Sequence, residues 1–369
     1  MSVINFVSEY GVLYCVFYSF LELEGILLRY IGGKSQLLNC IEAVLKRCGK
    51  NVDTVVDLFA GTGVVSRKFK SLGYRVISND FLYFSYVLQK CYIELNKLPD
   101  FYNIGSDPID FLNAIDIRYP LYPLDECFIY KNYSPAGSER MYFQPVNALK
   151  IDLIRLKIEE WHRLNIIDDS GYFYLLASLI EAVPYVSNIV GVYASYLKFW
   201  DKRAFNPIIL KHPVICGNGK SNEAVNSDYL QVLQNYGYNY DILYADPPYN
   251  SREYLPNYHV LETIARYDYP EIYGITGMRR YDDQKSDFCK KTRVFSAFEN
   301  LICNCRAKYL LISYNNEGLL GTEALSSICE KYAIPGTFAL YEYDYRRYKS
   351  KIPNNSRGLR EQLYFLERI

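Results

Sequence analysis

Apolar residues Leu37, Leu38, Ile41, Val44 and Leu45 recur at one-sided helical spacing, which predicts a helix with Ser35 placed to cap it. Residues 54–59 run apolar and β-branched into Ala60-Gly61-Thr62-Gly63, a buried strand followed by a tight turn. Helical spacing resumes at Val64, Val65, Phe69 and Leu72 and stops at Gly73. Residues 75–79 predict a second strand, ending at Asp80. Strand, glycine-rich turn, helix and strand in about thirty residues make a βαβ unit.

Further strands are predicted at residues 241–245, 309–313, 337–343 and 362–367, with a helix at 323–332. Residues 100–225 differ in character. They hold turn-rich loops around Pro120, Pro123 and residues 134–137, then helices at 148–164 and 171–183. Ile151, Ile154, Ile158 and Trp161 stand at core spacing in the first of these. The pattern predicts an α/β fold, a Rossmann-like sheet with helices on both faces. Residues 26–99 and 226–369 would form the main domain and 100–225 a mainly helical insertion. Residues 1–25 read as an N-terminal extension, or as the product of a start codon upstream of the true one. Its apolar run, residues 12–21, falls short of the ~20 residues that span a bilayer. It also lacks the basic flank and small-residue cleavage site of a secretory signal. No membrane attachment is expected.

Composition narrows the class. Half the chain is hydrophobic, 22% is charged, and 41 basic residues balance 41 acidic ones. A disordered or collagen-like chain is excluded, and so is a uniformly basic coat for nucleic acid. Any polyanion must be met by local patches. The ten cysteines are scattered, and the three histidines do not cluster with them. Reduced thiols, no metal site and a cytoplasmic location follow.

The chemistry centres on Asp246-Pro247-Pro248-Tyr249, directly after the predicted strand at 241–245. Two prolines fix a rigid, exposed loop at a strand's carboxyl end, the edge where open α/β sheets bind ligands. The Asp246 carboxylate and Pro247 carbonyl can accept the two protons of an exocyclic amine and free its lone pair to attack. Tyr249 can stack a base that has left the duplex. An ordinary Asx-Pro turn is the competing reading. Asp57 and the turn glycines Gly61 and Gly63 form a second element, in which Ser66 stands where a dinucleotide fingerprint has its third glycine. This weakens a nicotinamide cofactor, while Asp80, 23 residues after Asp57, is placed to accept from ribose hydroxyls. The third element is Arg29-Tyr30-Ile31-Gly32-Gly33-Lys34-Ser35. It is not a phosphate-binding P-loop, because Leu28 occupies the first glycine position. Lys34 can instead meet a carboxylate, and Tyr30 can lie against a purine.

Together these residues resemble the D12-class N6-adenine DNA methyltransferases, the family of the Dam-type enzymes and many restriction–modification partners. The resemblance covers residues 26–369. It includes the run from Tyr258 to Ile264, residues 283–289 and residues 312–318, while residues 188–203 resemble one subgroup. It implies S-adenosylmethionine as methyl donor, with Tyr30, Lys34, Asp80 and Asp246 on cofactor-contacting positions and Asp246, Pro247 and Tyr249 on the catalytic loop. Asp228, in Asn226-Ser227-Asp228-Tyr229, falls beside the cofactor's adenine. Some members carry tryptophan at the position of Tyr30. Direct in-line transfer needs no covalent intermediate, so no catalytic cysteine is expected.

Double-stranded DNA with a short recognition sequence is then the expected partner, alongside a restriction endonuclease, and a monomer the expected state. The recognition sequence is not legible in the residues, though the subgroup resemblance points to a palindrome such as CATG. Residues 345–360 carry a net charge of +6 and include Arg346, Arg347, Lys349 and Lys351. Residues 277–293 carry +3, with Arg279, Arg280 and Lys285, and Lys198, Lys202, Arg203 and Lys211 less Asp201 make another +3 patch. Such patches neutralise phosphate, or are simply solvated loops. Base reading is expected from the insertion. N4-cytosine or RNA-base amino methylation, and a silent cofactor-binding DNA module, are the competing functions.

Overall fold

A computed structural model describes residues 33–49, 51–235, 240–344 and 358–368. Residues 1–25, Tyr30, Arg346, Arg347, Lys349 and Lys351 lie outside them. A short 3-10 turn at Ser35–Leu37 leads into helix α1 (Leu38–Leu45). Ser35 thus lies inside the turn and supplies no side-chain cap, contrary to expectation; the turn itself absorbs the helix start.

The sheet strands are β1 (Thr54–Asp57), β2 (Arg75–Asn79), β3 (Glu223–Val225), β4 (Ile242–Ala245), β7 (Tyr309–Asn315), β8 (Ala339–Asp344) and β9 (Arg360–Glu367). β5 (Ile272–Tyr273) and β6 (Met278–Arg279) form a separate hairpin. The seven strands run in the order β3-β2-β1-β4-β7-β9-β8. The first five are parallel and β9 is antiparallel to both its neighbours. Adjacent residues on one strand feed opposite faces, as parallel strands buried on both sides must. Val55, Val76 and Leu311 join one core, and Val56, Ile77 and Leu310 the other. Helices α2 (Val64–Ser71) and α3 (Tyr83–Gln89) pack on the first face; α10 (Val294–Asn304) and α11 (Thr322–Tyr332) pack on the second. The chain steps outward through β1, β2 and β3, then returns to place β4 on the other side of β1. That reversal opens a crevice at the strands' carboxyl ends.

The insertion contributes helices α4 (Pro108–Ala114), α5 (Phe128–Tyr133), α6 (Pro145–Arg163) and α7 (Asp169–Ala182). Ile151, Ile154, Ile158 and Trp161 are buried as the spacing predicts, but in the same core as Val55 and Val76. These helices therefore extend one face of the sheet, their described buried residues sharing its core. Its expected boundary also shifts. Glu223–Val225, assigned from sequence to the insertion, is the edge strand of the sheet. Asn222 prepares that pairing by accepting from Val76 N at 3.0 Å.

Arg155 of α6 ties this region to helix α9 (Leu255–Arg266), which follows the catalytic loop. It is 2% exposed and donates to Ile264 O at 3.1 Å, Ala265 O at 3.3 Å and Tyr172 Oη at 2.9 Å. It also pairs with Glu159 at 2.8 Å. Truncating one side of such a buried network strands its acceptors. Arg155→Met should lower unfolding free energy by about 2–4 kcal/mol, read as a lower urea midpoint. An unchanged midpoint would refute the tie.

Candidate active site

Three strand ends deliver carboxylates to one crevice. Asp57 closes β1, Asp80 follows β2 and Asp246 follows β4, and all three line the same pocket. The turn between β1 and α2 explains how the first two come together. Gly61 and Gly63 take φ of 54° and 76°, a left-handed backbone that a side chain would strain. This lets Ala60 N reach Asn79 O at 2.8 Å and Gly61 N reach Asp80 Oδ2 at 2.9 Å. Asp80 Oδ1 accepts from Leu82 N at 2.9 Å. Ser66, the departure from the dinucleotide pattern, donates its hydroxyl to Asp57 Oδ2 at 2.6 Å. Asp57 Oδ1 is buried without a hydrogen-bond partner.

Lys34 enters beneath the Asp246 loop. Its side chain is 3% exposed, and Nζ lies 3.3 Å from Asp246 Oδ1 and 3.1 Å from Glu361 Oε2. It also donates to the Tyr249 hydroxyl, and that hydroxyl donates to Asp246 Oδ1. Burial alone would lower the Lys34 pKa, but Asp246 and Glu361 together hold it above its ordinary value. Burial raises Asp246 to about 7 against the opposing pull of Lys34, with Glu361 pushing it further up. Asp57 and Asp80 are each raised to about 7, again chiefly by burial.

Tyr249 differs from its expected posture. Its ring is 9% exposed, packs edge-on to Tyr314 at 5.4 Å and sits under the Lys34 ammonium at 4.4 Å. A buried phenol needs hydrogen-bond partners, and here they are Lys34 and Asp246. In this state the aromatic face is turned in and not offered to a base. Asp228 is exposed at the rim, where Oδ1 accepts from Leu230 N at 2.9 Å.

Several residues that build the site carried no assigned role in the sequence. Glu361 is one, a buried acid between Arg360 and Gln362 in the polar opening of β9, where nothing in the pattern sets it apart. Glu262 is another. Its carboxylate accepts from Tyr83 N and Phe84 N, both at 3.0 Å, and so holds the start of α3 just after Asp80. Gln284 donates to Glu262 at 3.2 Å and to Phe81 O at 3.1 Å. Gly318 lies so close to the Tyr314 ring that a Cβ would meet it at 2.1 Å, and Leu319 N caps Tyr249 O at 2.9 Å.

The basic residues separate. Arg279 is 7% exposed and holds Asp268 through two bonds of 2.9 and 2.6 Å. It is thereby held as a strut of the β5–β6 hairpin, not exposed at the surface as the expected phosphate contact would be. Arg280 and Lys285 are exposed. They pair at the surface with Glu271 at 3.2 Å and Asp282 at 2.6 Å, and Lys285 borders the crevice. Among the described residues no helix is long and apolar enough to cross a membrane.

The sequence pattern of the D12 class N6 adenine-specific DNA methyltransferase family matches residues 30–328. The chain is 44% identical over 352 residues to the type II methyltransferase M.FokI of Planomicrobium okeanokoites, covering 92% of this chain and 53% of that protein. It is 38% identical over 348 residues to the modification methylase StsI of Streptococcus sanguinis, covering 92% and 52%. The type II methyltransferase M.NlaIII of Neisseria lactamica is 37% identical over 351 residues, covering 92% and 99%. The chain thus spans about half the length of the first two relatives and nearly all of the third.

Raised carboxylates make stability depend on pH. In the folded chain Asp57, Asp80 and Asp246 hold protons up to about 7, whereas unfolded aspartate releases them near ~3.9. Their stabilisation is complete below that value and is lost as pH rises through about 7. His259, lowered to about 4 by burial, opposes this as a single group. The ligand-free chain should therefore unfold at higher urea at pH 5.5 than at pH 8. Asp57→Asn should flatten that slope by about one proton, and an unchanged slope would count against a buried, raised Asp57.

Proposed function

Because the chain belongs to the D12 class N6 adenine-specific DNA methyltransferase family, we propose that it methylates N6 of adenine at a specific site in double-stranded DNA. We further read it as the modification enzyme of a restriction–modification system, working alongside a restriction endonuclease. The observation that carries the chemistry is the Asp246 carboxylate. It stands at the carboxyl end of β4, raised to about 7 and in the same crevice as Asp57 and Asp80.

The donor set fits S-adenosylmethionine. That group carries a sulfonium, an ammonium and ribose hydroxyls, and the carboxylates of Asp57, Asp80, Asp228 and Asp246 are among those lining the crevice, with an orphaned oxygen at Asp57 Oδ1. Asp57 would take the ammonium, Asp80 the ribose, and Asp228 the adenine side, with Tyr30 and Lys34 completing the set. When bound, the cofactor supplies an electrophilic methyl whose bond to sulfur breaks as the N6 lone pair forms the new carbon–nitrogen bond. Asp246 accepts one proton of the amine in a hydrogen bond, the Pro247 carbonyl accepts the other, nitrogen density is left free to attack, and the methylated nitrogen then sheds one of these protons through Asp246 to solvent. Tyr249 must release Asp246 before its ring can support the base, which has to leave the duplex because its amine is otherwise paired. A sulfonium is already a good leaving group, so the thiols are spectators.

Labelled S-adenosylmethionine, duplex DNA and nucleoside analysis test this directly. N6-methyladenine is the expected product. Label in N4-methylcytosine, or only in RNA, would replace the substrate; cofactor binding without transfer would mark a silent module. Asp246→Ala should cut the rate by about 10²–10³-fold with the fold intact, and near-normal activity would remove its role. Mapping modified adenines in genomic DNA identifies the site, with CATG the first sequence to check. Lys285→Ala and Arg280→Ala should each weaken DNA binding and reduce the salt slope by about 1. Arg279→Ala should instead lower stability and leave the slope unchanged.

A further inference from the structure

Nothing in the proposed chemistry uses Glu361, yet it is buried, charged and in contact with the catalytic cluster. It sits on β9 opposite Asn315 of β7 and Tyr343 of β8 and is 4% exposed, so its backbone is held on both sides. Its neighbour Arg360 is turned to Glu342 at 2.9 Å and Asp344 at 3.9 Å. The cation at Glu361 is Lys34, whose Nζ lies 3.1 Å from Oε2 and 3.3 Å from Asp246 Oδ1. One ammonium therefore serves two carboxylates from strands that are not adjacent in the sheet.

The consequence is electrostatic. An ammonium paired with Asp246 alone would neutralise the charge that an amine proton has to find there. A second carboxylate on the same ammonium draws its field away and leaves Asp246 a stronger acceptor. We propose that Glu361 is a positioning residue of the transfer reaction: it shares Lys34 with Asp246 and so keeps Asp246 a strong acceptor for the substrate amine. This rests on the adenine methyltransferase reading above. The other ionisable groups facing the pair are Asp57, which adds negative charge at Asp246, and the phenols of Tyr244, Tyr249 and Tyr254. Burial pushes Tyr244 and Tyr254 far up, which leaves them neutral through the working range. Lys34 is the positive group in the set.

The sign of the effect is fixed. Asp246 works as the carboxylate, so the rate falls on the acid side as it gains a proton. Glu361 raises that pKa, and removing its charge must move the acid limb to lower pH while weakening the acceptor at the plateau.

The test is single-turnover methyl transfer to adenine in duplex DNA from pH 5.5 to 8.5. Wild type, Glu361→Gln and Glu361→Asp are compared, with cofactor affinity by calorimetry and melting curves alongside. Glu361→Gln should lower the plateau ~10-fold and shift the acid limb down by ~0.5–1 pH unit, with cofactor affinity within about 3-fold. Glu361→Asp keeps the charge but retracts it by one methylene, and should shift the limb the same way by less. It decides the matter alone if Glu361→Gln does not fold. An acid limb that stays in place, or a rate loss that merely tracks lower melting temperature or lost cofactor, overturns the role of Glu361. A wild type that transfers no methyl to adenine counts against the activity itself, a different failure.

Discussion

One buried ammonium shared between the buried Glu361 carboxylate and the part-buried Asp246 carboxylate is the constraint on which the site depends. Charges taken out of water carry a large desolvation cost, and attraction repays it only when the geometry is held tightly. Lys34 arrives from before the first strand, Asp246 from the middle of the chain and Glu361 from the last strand. The contact therefore needs β4 and β9 both in place, on either side of β7. Local structure at each of the three positions is ordinary; the electrostatics arise from their meeting.

The surrounding structure serves to keep these groups from relaxing. Asp80 is pinned by two backbone donors, and the helix after it is held by Glu262. Glu262 is itself braced by Gln284 and by Arg266 at 2.7 Å. On the other side Tyr314 and Gly318 shape the seat of Tyr249. The sequence runs around residues 258–264, 283–289 and 312–318 thus have a physical reason to accompany the catalytic loop. Apart from Ser286, Asp287 and Lys285 at the rim, they support the crevice rather than line it. The insertion extends this support: Arg155 holds the far end of α9, the helix that leaves the catalytic loop.

The βαβ unit, the strand before the Asp246 loop and the last two strands were legible because each is a contiguous run with a clear period; the antiparallel direction of β9 was not. The edge strand Glu223–Val225 was not, since three residues of mixed character carry no periodicity and depend on β2 for pairing. Its loss moved the insertion boundary. Arg279 and Lys285 look alike in a charge count, but Asp268 captures the first and the second stays at the rim. A charge tally cannot distinguish them, because the distinction is burial. Glu361 escaped for a related reason: one acid among the polar residues that open a strand predicts nothing until its partner is known.

The amino-acid sequence by itself determined which chemistry is available. The loop of two prolines, the left-handed glycines and the three strand-terminal acids are local facts, set by backbone sterics and by the residue types at each strand end. The tertiary structure alone decided how those groups behave. It sets the protonation of Asp57, Asp80 and Asp246, the inward turn of Tyr249 and the sharing of Lys34. Each of these depends on the solvent excluded and the charge brought near by residues tens to hundreds of positions away. Solvation and Coulomb energies depend on distance in space, to which position along the chain is only a weak guide.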